Sequence, residues 1–551
     1  MGRRLRRDLA LPTAPRIAAE RHGAVPLHLD APLDLFPEAG TRLDYRGFAD
    51  LVERAAGLLA GAGARPGARI LVVKSANFDV PLLAFACARI GAVAVLVHPG
   101  VGAAAIAALV ERARPAAVVT DGETAAAGLL DEVAQDGPPL WFAAGPARPG
   151  ALLLHEQQSA DLPQLTALDP GTPQLVTHTS GTTGVPKLVL QTAETFDGQC
   201  RPQAVIGKLL RVRDPYLVCI SPTHVRTVAA IVSTLALGLP FGFMTDPAPA
   251  NAARMLERVR PGAVETVPNA FIRWEQIAEE RPDLLAPVRI FMSTFDAAHP
   301  RTISALLAAA PRRARYIQVY GQSETGPVAM KFYKRRPKGL RARGLTGRRC
   351  VDGRCVGRPM PGQSRVRIVA DTDSADPAGA NPTAMNPTEA KPVGRGAPGA
   401  ILARTRAVTP AYLGTPDQRI DGWWAMGDYG LRTRKGCLHL HDRLVDREPG
   451  VESLLALEDT ILERISALTE AVLVPVSDGP PVPLVCTRGD EPFDIEGWNA
   501  AVADLPRLAE PVQCRWEDIP HTATWKVKRA EAAGRLVGGA LTGAGQAGVR
   551  R

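Results

Sequence analysis

From Tyr45 onward the chain switches back and forth between two hydrophobic periods. Phe48–Gly63 (FADLVERAAGLLAGAG) sets apolar residues at helical spacing and stops on glycine, and Ala68–Ser75 (ARILVVKS) is a short apolar β-type run. The same pair recurs at Pro81–Pro99, Ala103–Asp121 and Ala252–Pro268, then at Val288–Thr294 and Ile303–Gly321. Strands that alternate with helices in this way pair in parallel, because each crossover helix must pack back on the sheet. No fixed-period repeat accompanies the pattern.

Past Val356 the texture changes. Asp371–Gly399 is rich in Pro, Ala and Asn and reads as a surface loop unable to bury a core. Short β-like runs follow at Ala400–Val408 and Leu431–His441. From about Asp446 a small α+β unit begins, with helices expected over Leu454–Ile465 and Trp498–Leu505 and strands over Ala471–Val476 and Pro483–Gly489. The last residues, from Gly538, read as a frayed tail.

Composition removes several classes. With 551 residues, 46% hydrophobic and 22% charged, the chain is neither disordered nor a small disulfide scaffold. The net charge of +9 is matched by one stretch, Lys331–Arg349, which holds nine basic residues and no acidic one. A nucleic-acid binder would spread its charge, so none is expected as partner. The stretch itself reads as a solvated basic loop, with an anion or partner docking site as the alternative. The eight cysteines lack a second close pair beside Cys350 and Cys355, so no zinc site is expected, and scattered thiols fit a reducing cytoplasm. The arginines of the first residues are not followed by an apolar run, so they make no signal peptide. The most apolar windows, Gly91–Val110 and Ala229–Phe243, are interrupted, and no membrane span is expected.

The most informative run is Thr177–Lys187, THTSGTTGVPK. Hydroxyls and glycines packed into one turn present O–H and backbone N–H groups together, which is a phosphate cradle. It is not a P-loop, since Lys187 follows proline and no Ser or Thr comes after it. This run resembles the signature loop of the adenylate-forming superfamily: acyl-CoA synthetases, adenylation domains and luciferases. Tyr320-Gly321-Gln322-Ser323-Glu324 resembles that family's YGxTE, and Asp421–Asp428 (DGWWAMGD) its DGW(Y/F)xTGD. Cys355–Pro359 resembles the VGrP run, Asp442-Arg443 occupies the GR position, and Ile519–Arg529 resembles the terminal PrTxxGKvxR. The resemblance covers roughly residues 20–535 of the chain.

The resemblance implies an α/β fold: a large N-terminal domain of stacked αβα sheets with a small β-barrel-like subdomain over 1–445, a small mobile α+β domain over 446–535, and a flexible tail over 536–551. It implies an ATP- and Mg²⁺-dependent reaction in which an oxyanion attacks the α-phosphate and pyrophosphate leaves. Catalysis there is positioning and electrostatic stabilisation. Thr179, Ser180, Gly181, Thr182, Thr183, Gly184 and Lys187 would hold the phosphates, with Tyr320 and Gly321 beside the nucleotide. Glu324 would ligate Mg²⁺, Ser323 would donate to the α-phosphate, Asp428 would accept from the ribose, and Arg443 would contact ribose or phosphate. Lys526, four residues after Thr522, would be the mobile catalytic lysine, although Lys528 rivals it on spacing alone. Asp446 would be the hinge.

Four departures cluster at functional places. Leu188 stands where the family has glycine. Ser293-Thr294-Phe295-Asp296 replaces a Ser-Gly-Gly-Ala strand end. Trp525 precedes the lysine, and Arg447–Gly450 only vaguely echoes the stretch shaping the thiol tunnel. The acid pocket is expected to include His224 and Arg226, with Asn269, Thr294, Phe295 and Gln322 as lesser members. No Asp or Glu lies between Ser221 and Phe241, which argues against an α-amino acid, while His224 and Arg226 favour an anion unless one of them faces solvent from a strand. The leading expectation is adenylation of a small or aromatic acid and transfer to CoA or a carrier protein. The alternative is a diazotase that adenylates nitrite for attack by an aromatic amine, as a shrunken cationic pocket would allow. A nucleotide-binding pseudoenzyme acting as a partner scaffold is the third reading.

Overall fold

The computed structural model describes residues 5–145, 151–165, 168–179, 185–209, 212–295, 298–336, 339–344, 355–370, 392–419, 421–444, 453–476, 479–487, 490–522, 527–539 and 541. The alternating region builds two sheets. One runs in the order Leu152–Leu153, Leu140–Phe142, Ala117–Thr120, Arg69–Val72, Val93–Leu96, Pro173–His178, Leu188–Thr192, and every pairing is parallel except the last. Its central strands are buried on both faces, as crossover helices require, which is why Val93–Leu96 and Ala117–Thr120 carry no polar alternation.

The second sheet changes character midway. Its parallel half contains Pro26–Leu29, Phe241–Met244, Tyr216–Cys219, Ala263–Thr266, Ile290–Ser293 and Arg315–Gln322. Gly326–Arg336 then turns back antiparallel on Arg315–Gln322, and from there a meander continues through Cys355–Pro359, Leu438–Arg443, Trp424–Arg432, Pro398–Thr405 and Ser364–Val369. The turn at Ser323–Thr325 therefore sits where parallel pairing becomes antiparallel, at the carboxyl ends of the parallel strands. Open α/β sheets place ligands at such ends.

Between the two sheets lie Tyr45–Gly61, Asp79–Arg89, Ala193–Leu209 and Val225–Leu237, whose apolar faces share one core with Ile70, Val72, Val218 and Phe243. The first of these helices starts cleanly because the Asp44 carboxylate accepts from Gly47 N at 2.7 Å, filling an orphan donor of the first turn. A separate three-stranded sheet, Leu468–Val474, Val482–Thr487 and Val512–Gln513, packs with Leu454–Arg464, Ile495–Val502 and Arg529–Val537. Among the described residues no helix is long and apolar enough to cross a membrane.

Two expectations change. The basic stretch from Lys331 is no loop in its first half, since Gly326–Arg336 and Gly339–Gly344 pair antiparallel in register. Backbone pairing and the burial of Lys331, whose ammonium stands 4.6 Å from the Tyr333 ring, absorb it into the sheet. Leu431–His441 is not one strand but a hairpin, because Gly436 at φ +84° lets the chain reverse after Thr433. The run Asp371–Lys391 and the residues 345–354 lie outside the described residues.

Candidate active site

The turn between Arg315–Gln322 and Gly326–Arg336 presents Ser323 and Glu324 and is fixed from several sides. The Ser323 carbonyl accepts from the side-chain amides of Gln191 at 2.9 Å and Gln199 at 3.0 Å. Thr409 N donates to the Glu324 carbonyl at 2.7 Å, and Thr405 Oγ1 donates to that of Thr325 at 2.5 Å. Any side chain on Gly321 would lie 2.1 Å from the Gly326 carbonyl oxygen, so the strand can close on itself there only with glycine.

Glu324 is buried, and its Oε1 accepts from the Tyr412 hydroxyl at 3.0 Å. Burial and the adjoining carboxylate push the Tyr412 phenol far up, so it remains a donor. The Lys187 ammonium stands 4.9 Å from the Tyr412 ring centroid. Burial pulls its pKa down while Glu324 draws it back up. Lys187, Tyr412 and Glu324 thus form one cluster, drawn from three distant parts of the chain.

Lys187 reaches this cluster from the neck of the hydroxyl- and glycine-rich loop. Thr179 N donates to the Lys187 carbonyl at 2.8 Å, and Lys187 N donates to Thr179 Oγ1 at 3.1 Å. His178 at the strand end takes His98 N on Nε2 at 3.1 Å and meets the Thr179 carbonyl through Nδ1 at 2.7 Å, which fixes a neutral ring. Ser180, Gly181, Thr182, Thr183 and Gly184 lie outside the described residues. Leu188, where the family motif has glycine, pairs with His178 and is fully buried in the core cluster with Val95, Ile106 and Val176.

On the antiparallel side, Asp428 and Arg443 face each other across paired strands. The Tyr320 hydroxyl donates to Asp428 Oδ2 at 2.5 Å, and burial plus that carboxylate keep the phenol protonated. The Gln322 side chain donates to the Met426 carbonyl, tying the two halves of the sheet together at the site.

The segment expected to supply the acid pocket is not a strand. His224 caps the helix Val225–Leu237, its Nδ1 accepting from Arg226 N at 3.0 Å. With Nδ1 accepting, the neutral ring carries its proton on Nε2, which lies 3.0 Å from Ser323 Oγ and donates to it. The Phe295 ring packs edge-on against His224 with centroids 4.5 Å apart, and its backbone takes φ +82°. A bulky residue at positive φ costs of order 1–3 kcal/mol.

Arg226 is not an available cation. Its guanidinium clasps the fully buried Glu265 through two bonds, at 2.6 and 2.7 Å, and donates to Gln203 Oε1 at 2.6 Å. The Tyr216 hydroxyl completes the carboxylate's shell. The expectation of a cationic pocket is therefore corrected, because a carboxylate from another strand cancels Arg226 and a backbone donor holds His224 neutral. Thr294 Oγ1 is buried without a hydrogen-bond partner, and Asn269 is the second residue of the short helix Pro268–Arg273 that follows Ala263–Thr266.

Lys526, Asp446, Asp296 and Trp525 lie outside the described residues. Lys528, the rival lysine, donates to Glu531 at 3.0 Å in the first turn of Arg529–Val537. Sequence reasoning missed Tyr412, Gln191, Gln199 and Glu265. Only Tyr412, in the run Thr409–Gly414, lay near a stretch with a readable turn signal. Among the described residues no group of three or more His, Cys, Asp or Glu could cage a metal. One buried carboxylate, that of Glu324, nonetheless fits Mg²⁺, whose shell phosphate oxygens and water can complete.

Comparison with known proteins gives the family and the fold. Residues 18–413 match the family model of AMP-binding enzymes. A 3-amino-2-hydroxy-4-methoxybenzoate diazotase of Streptomyces cremeus is 38% identical over 95% of this chain and 94% of its own length. A 2-hydroxy-7-methoxy-5-methyl-1-naphthoate–CoA ligase of Streptomyces carzinostaticus is 27% identical over 90% of this chain and 88% of its own. Among solved structures, a benzoate CoA ligase from Burkholderia xenovorans superposes with a TM-score of 0.73 at 17% identity, covering 95% of this chain and 99% of that one. That last likeness is one of fold.

Proposed function

The chain belongs to the AMP-binding, adenylate-forming enzyme family, and from that premise we propose that it adenylates nitrite and delivers the nitrosyl group to an aromatic amine. The observation that carries this reading is the His224–Phe295 pair. An aromatic ring stands where the family motif has glycine, packed on the imidazole that lies 3.0 Å from Ser323 Oγ, and that bulk suits a small oxyanion better than a large acid. The near-full-length likeness to a diazotase points the same way.

In this reading a nitrite oxygen attacks the α-phosphorus of ATP, and the bond to pyrophosphate breaks. The amine nitrogen then attacks the nitroso nitrogen and AMP leaves with the former nitrite oxygen. The N-nitrosamine tautomerises, takes a proton and loses water to give the diazonium ion. Thr179, the loop Ser180–Gly184 and Lys187 would cradle the β- and γ-phosphates. Ser323, whose Oγ is held 3.0 Å from His224 Nε2, would donate to the α-phosphate. Asp428, oriented by Tyr320, would accept from the ribose, and Arg443 would lie along it. Lys526 would bring its charge to the α-phosphate from the small C-terminal domain of 446–535, turning about Asp446. Glu324 would hold Mg²⁺, which supplies charge neutralisation when bound.

A second reading, adenylation of an aromatic acid and transfer to CoA or a carrier thiol, is favoured by the likeness to the naphthoate–CoA ligase. Pyrophosphate release separates the two. Nitrite should support it and an aromatic amine should accelerate it. Turnover with aryl acids that is accelerated by CoA, and silence with nitrite, would replace the first reading by the second.

A further inference from the structure

The turn after Trp424–Arg432 in the antiparallel half-sheet gathers arginines that, among the described residues, pair with no carboxylate. Trp424–Arg432 ends on Arg432, reverses through Thr433–Gly436 and returns as Leu438–Arg443. Arg358 lies on the neighbouring strand Cys355–Pro359, where Gly357 is in register with Leu438. Gly436 leaves a notch over the turn. An ideal Cβ there would stand 3.9 Å from Arg358 Nη1 and 4.0 Å from Arg432 Nη2, so two guanidinium ends flank one gap. Arg395 joins the same turn, donating from Nη1 to the Arg434 carbonyl at 3.2 Å.

These cations are poorly compensated. Arg358 Nε and Nη2 and Arg432 Nε are buried and find no hydrogen-bond acceptor. Burial first, then Arg395 and Arg358, pulls the Arg432 guanidinium below its usual basicity. Among the described residues no carboxylate pairs with any of the three. Buried donors of this kind are costly unless an acceptor reaches them, and planar guanidinium forks match a tetrahedral oxyanion at several points together.

We propose that Arg358, Arg395 and Arg432 form a binding site for a phosphate-type oxyanion, separate from the nucleotide turn. Arg432 lies four residues beyond Asp428 on one strand, about 13 Å away along it. None of the three belongs to the machinery assigned to adenylation, so the site stands whichever acid or acceptor the enzyme takes. Its ligand is either the free anion or the phosphate end of a larger molecule, and the chemistry of recognition is the same.

Calorimetric titration of the full chain with inorganic phosphate tests this, at constant ionic strength and with a non-hydrolysable ATP analogue saturating the nucleotide site. One phosphate per chain is expected. Arg432→Met and the exposed Arg395→Ala should each weaken it about tenfold, the loss of a charge-assisted contact. Arg432→Met should also raise the phosphate-free melting temperature at low salt by removing a repelled buried charge. A parallel titration with 4′-phosphopantetheine distinguishes the sources: tighter binding than phosphate assigns the site to a larger ligand, equal binding to the free ion. Absence of phosphate binding, or equal binding by wild type and both variants, overturns the proposal. Pyrophosphate release by these variants should match wild type, which separates this result from any failure of the adenylation reading.

Discussion

The Glu324–Asp428 side and the Arg226 side of the candidate site, proposed to take nucleotide and acid, handle charge in opposite ways. Around Glu324 and Asp428 the carboxylates are oriented by tyrosine hydroxyls, neutral donors that aim a charge without cancelling it. Around Arg226 the charge is answered within the protein by Glu265, and His224 is held neutral by a backbone N–H. The first arrangement orients carboxylates with neutral donors; the second pairs a cation with a carboxylate inside the protein and leaves an uncharged imidazole against Phe295. Specificity on the acid side should therefore follow shape and neutral donors, while catalysis on the nucleotide side follows charge.

Breaking the internal pair gives the largest expected effect. Arg226→Met leaves Glu265 buried and uncompensated and should cost about 3–5 kcal/mol in denaturant unfolding. Adding Glu265→Leu should restore most of it, whereas a substrate-binding arginine would show lost turnover with stability intact. Lys526→Ala should lower the adenylation rate about 10²–10³-fold with little change in melting temperature, as the loss of a transition-state contact does. Equal rates would move the catalytic role elsewhere.

Asp442 sharpens the contrast from outside the site. Its carboxylate accepts from Leu454 N and Leu455 N at the start of Leu454–Arg464, yet burial pushes it up to about 6. A carboxyl whose folded pKa is raised loses stability as pH climbs from the unfolded value to the folded one. Unfolding free energy should fall by about 3 kcal/mol between pH 4 and 6 from this group. Asp442→Asn should flatten that slope, and an unchanged pH profile would refute it. The smallest effect is expected at Phe295. Phe295→Gly relieves the positive φ and opens the pocket, so aryl acids should gain pyrophosphate-releasing activity by about tenfold relative to nitrite.

What the sequence made legible was local. The alternation of periods was enough for the parallel half-sheets, and Thr177–Lys187, Tyr320–Glu324 and Asp421–Asp428 each carried their chemistry within a few residues. The fate of Arg226 was not legible, because Glu265 arrives from a strand whose register only the folded sheet defines. Gln191 and Gln199 escaped notice for the same reason. Their amides mean nothing until the Ser323 carbonyl is brought onto them. The arginines at Gly436 are scattered over three separate stretches of chain and become a cluster only through the meander.

The central claim is that the attacking oxyanion at the α-phosphate is nitrite, and isotope transfer reads it directly. With ¹⁸O-labelled nitrite, ATP and an aromatic amine, the AMP released should carry one ¹⁸O, because the nitrite oxygen stays on phosphorus when the nitroso group leaves. AMP without label from nitrite, but with label from an ¹⁸O-carboxylate of an aromatic acid, would contradict it.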